Sequence, residues 1–146
     1  MVDHVSVEKR SQIMRAVGSR NTRPEMLVRS AAHRLGLRFR LHDRTLLGTP
    51  DMVFRKKRIV IFINGCYWHR HEECAKATVP KTNRQFWLAK FESNIERDTK
   101  NYAALRKNGW RVVLIWQCEV RTLEDALRVV ARKLRVSSAR GSCRLR

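Results

Sequence analysis

The chain has 146 residues, with 32 Lys or Arg against 13 Asp or Glu, giving a formal net charge of +19. That length suits one domain with a real core, and an apolar content of 43% excludes a disordered basic tail. Charge of this size favours a polyanionic partner, nucleic acid first, with simple self-repulsive solubility as the plainer alternative.

No run reaches the roughly 18 apolar residues of a membrane span. Met1 to Arg10 carries charge and no apolar stretch, so a signal peptide is not expected. A cytoplasmic protein follows as the expectation. Its four cysteines then point to metal binding or chemistry rather than disulfides.

Residues 1–21 are polar and basic, with Ile13, Met14 and Val17 at helical spacing. Asn21-Thr22-Arg23-Pro24-Glu25 reads as a helix start: Asn21 or Thr22 caps, Pro24 suits the first turn, and Glu25 sits at the positive end of the dipole. Met26, Leu27, Ala31 and Leu35 form its apolar face, and Gly36 ends it. Leu37 to Leu41 alternates as a half-buried strand does. A turn at 47–50 leads to a short strand at 51–54, and Arg55-Lys-Lys-Arg58 makes a charged hairpin turn. Ile59 to Ile63 is a continuous apolar run, the pattern of a strand buried on both faces. Residues 64–82 form a loop rich in Cys, His and aromatic residues, and such loops are usually functional.

A capping box is predicted at Thr82 to Gln85. The longest helix runs from there to Gly109, with Leu88, Phe91, Ile95, Tyr102 and Leu105 on its buried side. Arg111 to Trp116 is a further buried strand, and Leu123 to Leu134 a last amphipathic helix. Residues 136–146 form a basic tail. The fold class is α/β, a mixed central sheet flanked by helices.

Three clusters carry the chemistry. Cys66, His71 and Cys74 share one loop, and Cys118 follows a strand that can return to it. Three thiolates and an imidazole complete a zinc tetrahedron, which leaves no place for water, so the zinc is structural. The alternative is incidental cysteines, with Cys118 a small buried hydrophobe. Cys143, in the tail, has no assigned role.

The second cluster centres on Asp51. Many metal-dependent nucleases place an Asp at a strand start, with a D/E-x-K triplet on the paired strand. Here Phe62-Ile63-Asn64 stands in place of the triplet. Mg²⁺ wants oxygen ligands, and Asp51 with a backbone carbonyl near Ile63 can offer two. His69 carries an imidazole that can take the proton of an attacking water. Glu25 can orient a group through a water or a hydrogen bond. Read alone, Pro50-Asp51 is a weak signal, and a turn-capping aspartate is the plainer reading.

The third cluster is aromatic. Tyr67 and Trp68 lie in the Cys/His loop, and Trp87 stands near the start of the long helix. Rings on a basic surface suit stacking on bases or wedging between them, and Met14 can do the same from the other groove. Trp110 and Trp116 read as ordinary core.

Phe62-Ile-Asn-Gly-Cys-Tyr-Trp-His69, with Pro50-Asp51 before it and Phe86-Trp87-Leu-Ala-Lys90 and Asn94-Ile-Glu-Arg-Asp98 after it, resembles the very short patch repair (Vsr) DNA mismatch endonucleases. Arg10 to Arg15, Thr22 to Glu25, Tyr102 to Val112 and Ile115-Trp116 extend the resemblance over roughly residues 6–120. It implies a restriction-endonuclease-like core with a zinc-stabilised loop. One endonuclease domain would span 1–135, its basic segment 1–21 touching DNA. The implied reaction is an Mg²⁺-dependent nick in one strand, 5′ to the T of a T·G mismatch left by deamination of 5-methylcytosine. Asp51 matches the metal aspartate, and position 63 the residue whose carbonyl helps hold Mg²⁺. His69 matches the catalytic histidine and Glu25 the assisting acid. Cys66, His71, Cys74 and Cys118 match the zinc ligands. Tyr67, Trp68 and Trp87 match a wedge entering the major groove, Met14 one from the minor groove, and Lys90 falls in a matching DNA-binding stretch.

The chain departs from the pattern at Asn64, often ionisable in the family. An amide cannot act as a base, so Asn64 is at most supporting and His69 carries more weight. The implied partners are double-stranded DNA and, functionally, a cytosine-5 DNA methyltransferase, with the enzyme acting as a monomer. Two rivals remain: a restriction-type endonuclease on the same core, and a non-enzymatic zinc-stabilised DNA-binding module.

Overall fold

The structure, a computed structural model, describes Ser6 and residues 21–136. Met14, most of the basic N-terminal segment, and the tail with Cys143 lie outside the described residues.

The described elements, in chain order, are α1 (Arg23–Arg34), β1 (Arg40–Leu41), β2 (Met52–Phe54), β3 (Ile59–Asn64), α2 (Arg84–Lys107), β4 (Arg111–Trp116), a 3-10 turn (Gln117–Glu119) and α3 (Leu123–Leu134). The sheet order is β1-β2-β3-β4. β1, β2 and β3 pair antiparallel, and β3 pairs parallel with β4. The parallel pair requires a crossover, and α2 supplies it. This is the mixed α/β arrangement that the sequence predicts.

Helices cover both faces of the sheet. On one face Met52, Phe54, Ile59, Ile61, Val113 and Ile115 pack with apolar residues of α1 and α3. On the other, Val53, Val60 and Phe62 pack with Tyr102, Leu105 and Trp110. β3 therefore buries alternate side chains in two separate cores, which is why its sequence is continuously apolar. Its last residue, Asn64, falls on the α2 face and is 4% exposed.

Several local expectations need correction. The ladder of the first strand holds only Arg40 and Leu41, although Leu37 and Phe39 still pack into the core. Leu41 is 42% exposed. On α1, Met26 points outward, while Val28 and Ala32 join Ala31 inside. α2 has no capping box at Thr82: Asn83 is its N-cap, in the left-handed region and without a side-chain cap bond. Leu88 and Ile95 are exposed, and Trp87, Phe91, Tyr102 and Leu105 form the buried side. β4 is half-buried rather than fully buried, because it lies at one end of the described sheet. Trp110 is core, as expected, but Trp116 is half-buried and stacks on His71 at 4.3 Å.

Candidate active site

The turn before β2 delivers Asp51 to the end of β3. Its Oδ2 accepts the Ile63 N–H at 2.6 Å, so the main chain at position 63 lies directly against the carboxylate. Gly48, at φ +74°, lets this turn close down: a Cβ there would meet Phe62 and Asn101 at 3.2 Å.

Glu25 reaches the same place from the start of α1. Thr22 caps the helix by accepting the Glu25 N–H, and Glu25 accepts the Asn21 N–H at 3.1 Å. The Glu25 carboxylate is buried and paired with Arg29 at 3.0 Å. Arg29 also meets His42 Nε2 at 2.9 Å, and His42 Nδ1 stands 3.9 Å from Asp51 Oδ1. Ligand atoms of Glu25, His42 and Asp51 lie within 4.8 Å of one another.

Burial pushes the Asp51 carboxyl up to about 6; the Ile63 N–H opposes this and the Glu25 charge adds to it. A buried carboxylate raised in this way, beside a second carboxylate, fits a divalent cation. Bringing one in restores the ionised form that burial disfavours.

His69 comes from the loop after β3. Its Nδ1 lies 2.5 Å from Asp98 Oδ2, on α2. Asp51, Ile63, Asn64, Trp68, His69 and Asp98 all line one cleft of about 810 Å³, together with Glu25. The cleft gathers Glu25, Asp51 and His69, the three residues the sequence singles out for catalysis. Asn64 donates to the Tyr102 hydroxyl at 3.0 Å, and burial pushes Tyr102 up to about 12. The pair therefore holds its position without titrating near neutrality.

Cys66, His71, Cys74 and Cys118 also come together, with ligand atoms within 4.8 Å of one another. Cys118 Sγ and His71 Nδ1 are 3.3 Å apart. Burial and the neighbouring Cys66 thiol push Cys118 up to about 11, while the Lys76 N–H holds Cys74 low. Three thiols crowded on one imidazole is a donor set that fits Zn²⁺.

The aromatic residues form a connected cluster. Tyr67 meets Trp68 and Phe91 edge-on at 5.0 and 5.2 Å, and Trp68 meets Trp87 at 6.1 Å. Tyr67 and Trp68 are half-buried and Trp87 is 7% exposed. The most exposed ring is its neighbour Phe86, at 61%. The loop thus has more core than its sequence suggests, anchored on α2 through Phe91 and Arg70, whose guanidinium lies 4.0 Å from the Phe91 ring. Lys90 is exposed on α2.

Neither Asp98 nor His42 is singled out for a role by the sequence alone. Asp98 stands inside the Asn94–Asp98 stretch that carries the resemblance, which was its available signal. His42 had none.

The cleft is equipped for hydrolysis: carboxylates suited to a cation on one side, and a histidine backed by a carboxylate on the other. A family profile described as "DNA mismatch endonuclease Vsr" matches residues 2–76. "Type II nicking enzyme V.XorIIP" of Xanthomonas oryzae pv. oryzae is 48% identical over 84% of this chain and 90% of its own. "Type II nicking enzyme V.NmeAIP" of Neisseria meningitidis is 42% identical over 83% and 86%. "DNA mismatch endonuclease Vsr" of Escherichia coli K12 is 41% identical over 85% and 79%. The chain belongs to the Vsr family of DNA mismatch endonucleases. It is an enzyme, a DNA endonuclease, and a non-enzymatic binding module is set aside. No helix among the described residues is long and apolar enough to cross a membrane.

Proposed function

We propose that this endonuclease nicks one strand of duplex DNA, 5′ to the T of a T·G mismatch, with Mg²⁺ at Asp51. The observation that carries the reading is the convergence of Asp51 and the His69–Asp98 pair on one cleft. The sheet and its helices are read as a restriction-endonuclease-like core within one domain over 1–135.

Asp51 and the main chain at Ile63 would hold the cation. When bound, it supplies positive charge to the phosphate oxygens as charge builds in the transition state. Asp98 accepts the Nδ1 proton of His69, which leaves the Nε2 lone pair as the base. His69 takes a proton from the attacking water, and Asp98 stabilises the imidazolium that results. Glu25 is held by Arg29 and the α1 N-terminus, and keeps the carboxylate face of the cleft in place.

Cys66, His71, Cys74 and Cys118 would hold Zn²⁺ in a structural role, tying the loop to the end of β4. That fixes His69 and Trp68, which the loop carries. Tyr67, Trp68 and Trp87 form the base of a wedge, and Met14 is assigned the opposite groove. A T·G wobble stacks poorly, so opening it costs less than opening a matched step, where the cost is a few kcal/mol. The +19 charge holds phosphates and sets register without reading sequence. The enzyme is read as a cytoplasmic monomer that acts on the product of a cytosine-5 methyltransferase after deamination.

The test is a panel of strand-labelled duplexes, T·G and matched, with Mg²⁺ or with EDTA. A single nick in the T strand supports the reading. Double-strand cleavage of matched DNA supports the restriction-type alternative instead.

A further inference from the structure

The active-site cleft is acidic although the protein is strongly basic. Glu25, Asp51 and Asp98 line it, and Arg97 is the one lysine or arginine among its described lining residues. A phosphodiester brings another negative charge to this place. Cations on the outer surface steer DNA toward the protein, but screening over about 8–10 Å of salt solution separates them from the reacting group.

Among the described residues, Arg70 beside His69 is engaged with the carbonyls of Tyr67, Ala77 and Thr78, and Arg29 is engaged as well. It pairs with Glu25 and bonds Asn21 and His42. Arg97 is placed differently. Asn94, Arg97, Asp98 and Asn101 make an i, i+3, i+4, i+7 stripe along α2, and all but Asn94 line the cleft. Asp98 gives Oδ2 to His69. The Arg97 guanidinium stands 3.7 Å from Asp98 Oδ1, an ion-pair separation longer than a hydrogen bond. Its side chain is 61% exposed. The charge is thus held at the cleft while the guanidinium fork keeps its donors for a ligand.

We infer that Arg97 binds a non-bridging oxygen of the phosphate cleaved in this cleft, and is a catalytic residue of the nicking reaction. A guanidinium meets a phosphate through two parallel donors, a fit that lysine lacks. Its position beside Asp98 puts this charge next to the base. The inference rests on the proposed nicking function.

The experiment is single-turnover nicking of a labelled T·G duplex with Mg²⁺, alongside binding of the same duplex with Ca²⁺. Arg97→Ala is expected to slow nicking by about 100-fold, with Kd changed by less than about threefold. Arg97→Lys is expected to recover part of the rate. Guanidinium ion, at matched ionic strength, is expected to raise the rate of Arg97→Ala and not that of the parent protein. Nicking by Arg97→Ala within about threefold of the parent overturns the inference alone. So does a loss shared equally by binding and rate, without guanidinium rescue. Failure of the parent protein to nick any T·G duplex overturns the functional reading and this inference with it.

Discussion

His69 Nδ1 and Asp98 Oδ2 lie 2.5 Å apart, joining the loop after β3 to the middle of α2. The contact decides which ring nitrogen of His69 is free to act. In the proposed reaction the proton is held on Nδ1 and Nε2 is the acceptor. Asp98→Asn offers an amide that can donate to Nδ1 and so favours the wrong tautomer. Single-turnover nicking is expected to fall by on the order of 10²–10⁴-fold, with mismatch binding and melting temperature close to those of the parent. An unchanged rate would remove Asp98 from the mechanism.

Asp51 predicts a stability effect of unusual sign. Burial pushes its folded pKa up to about 6, above the 3.8 of a free aspartate. Between those values the folded state binds more protons than the unfolded state, so the Asp51 contribution to stability falls as pH rises from about 4 to about 6. The metal-free cost above that window is about 3 kcal/mol. Asp51→Asn keeps an acceptor for the Ile63 N–H and removes the buried charge. In EDTA at pH 7 it is expected to melt above the parent, and at pH 4 the two should converge. Denaturation at both pH values checks this; a less stable Asp51→Asn at pH 7 would contradict it.

Much of this arrangement is legible in the sequence, and the exceptions have physical causes. β3 announces itself because both its faces are buried, and Leu123 to Leu134 because Val129, Val130 and Leu134 share one apolar stripe. α2 misleads. Its inward stripe runs from buried Trp87 and Phe91 through half-buried Asn94 and Asp98 to buried Tyr102 and Leu105, and the polar residues sit where the helix passes the cleft. Apolar periodicity therefore selects Leu88 and Ile95, which face outward. The function itself interrupts the pattern. Asp98 was hidden for the same reason, since a polar residue in mid-helix reads as solvated surface until the fold sets it against His69. His42 gains meaning once the fold sets it against Glu25 and Arg29 on a helix and Asp51 before a strand.

The Cys66, His71, Cys74 and Cys118 set predicts about one equivalent of zinc in protein purified without chelator. Cys118→Ser should fall below about half an equivalent and lose melting temperature, because it unties the loop from the end of β4. Metal analysis with a thermal melt reads both. Full zinc content in Cys118→Ser would exclude it as a ligand.

Trp68 lines the cleft and contacts both Tyr67 and Trp87. Trp68→Ala is expected to reduce the preference for T·G over matched duplex by on the order of tenfold, the scale of one lost base–aromatic stack. Competition binding measures the ratio directly. An unaltered ratio would make Trp68 an ordinary packing residue.

In the proposed reaction the nick is made where Asp51 meets the His69–Asp98 pair, and holding the mismatch is a separate task. The most direct measurement compares nicking and binding of one T·G duplex by the parent, Asp51→Ala and His69→Ala. Both variants are expected to lose nicking while keeping mismatch binding nearly intact. Undiminished nicking by either variant would contradict this placement of the nick.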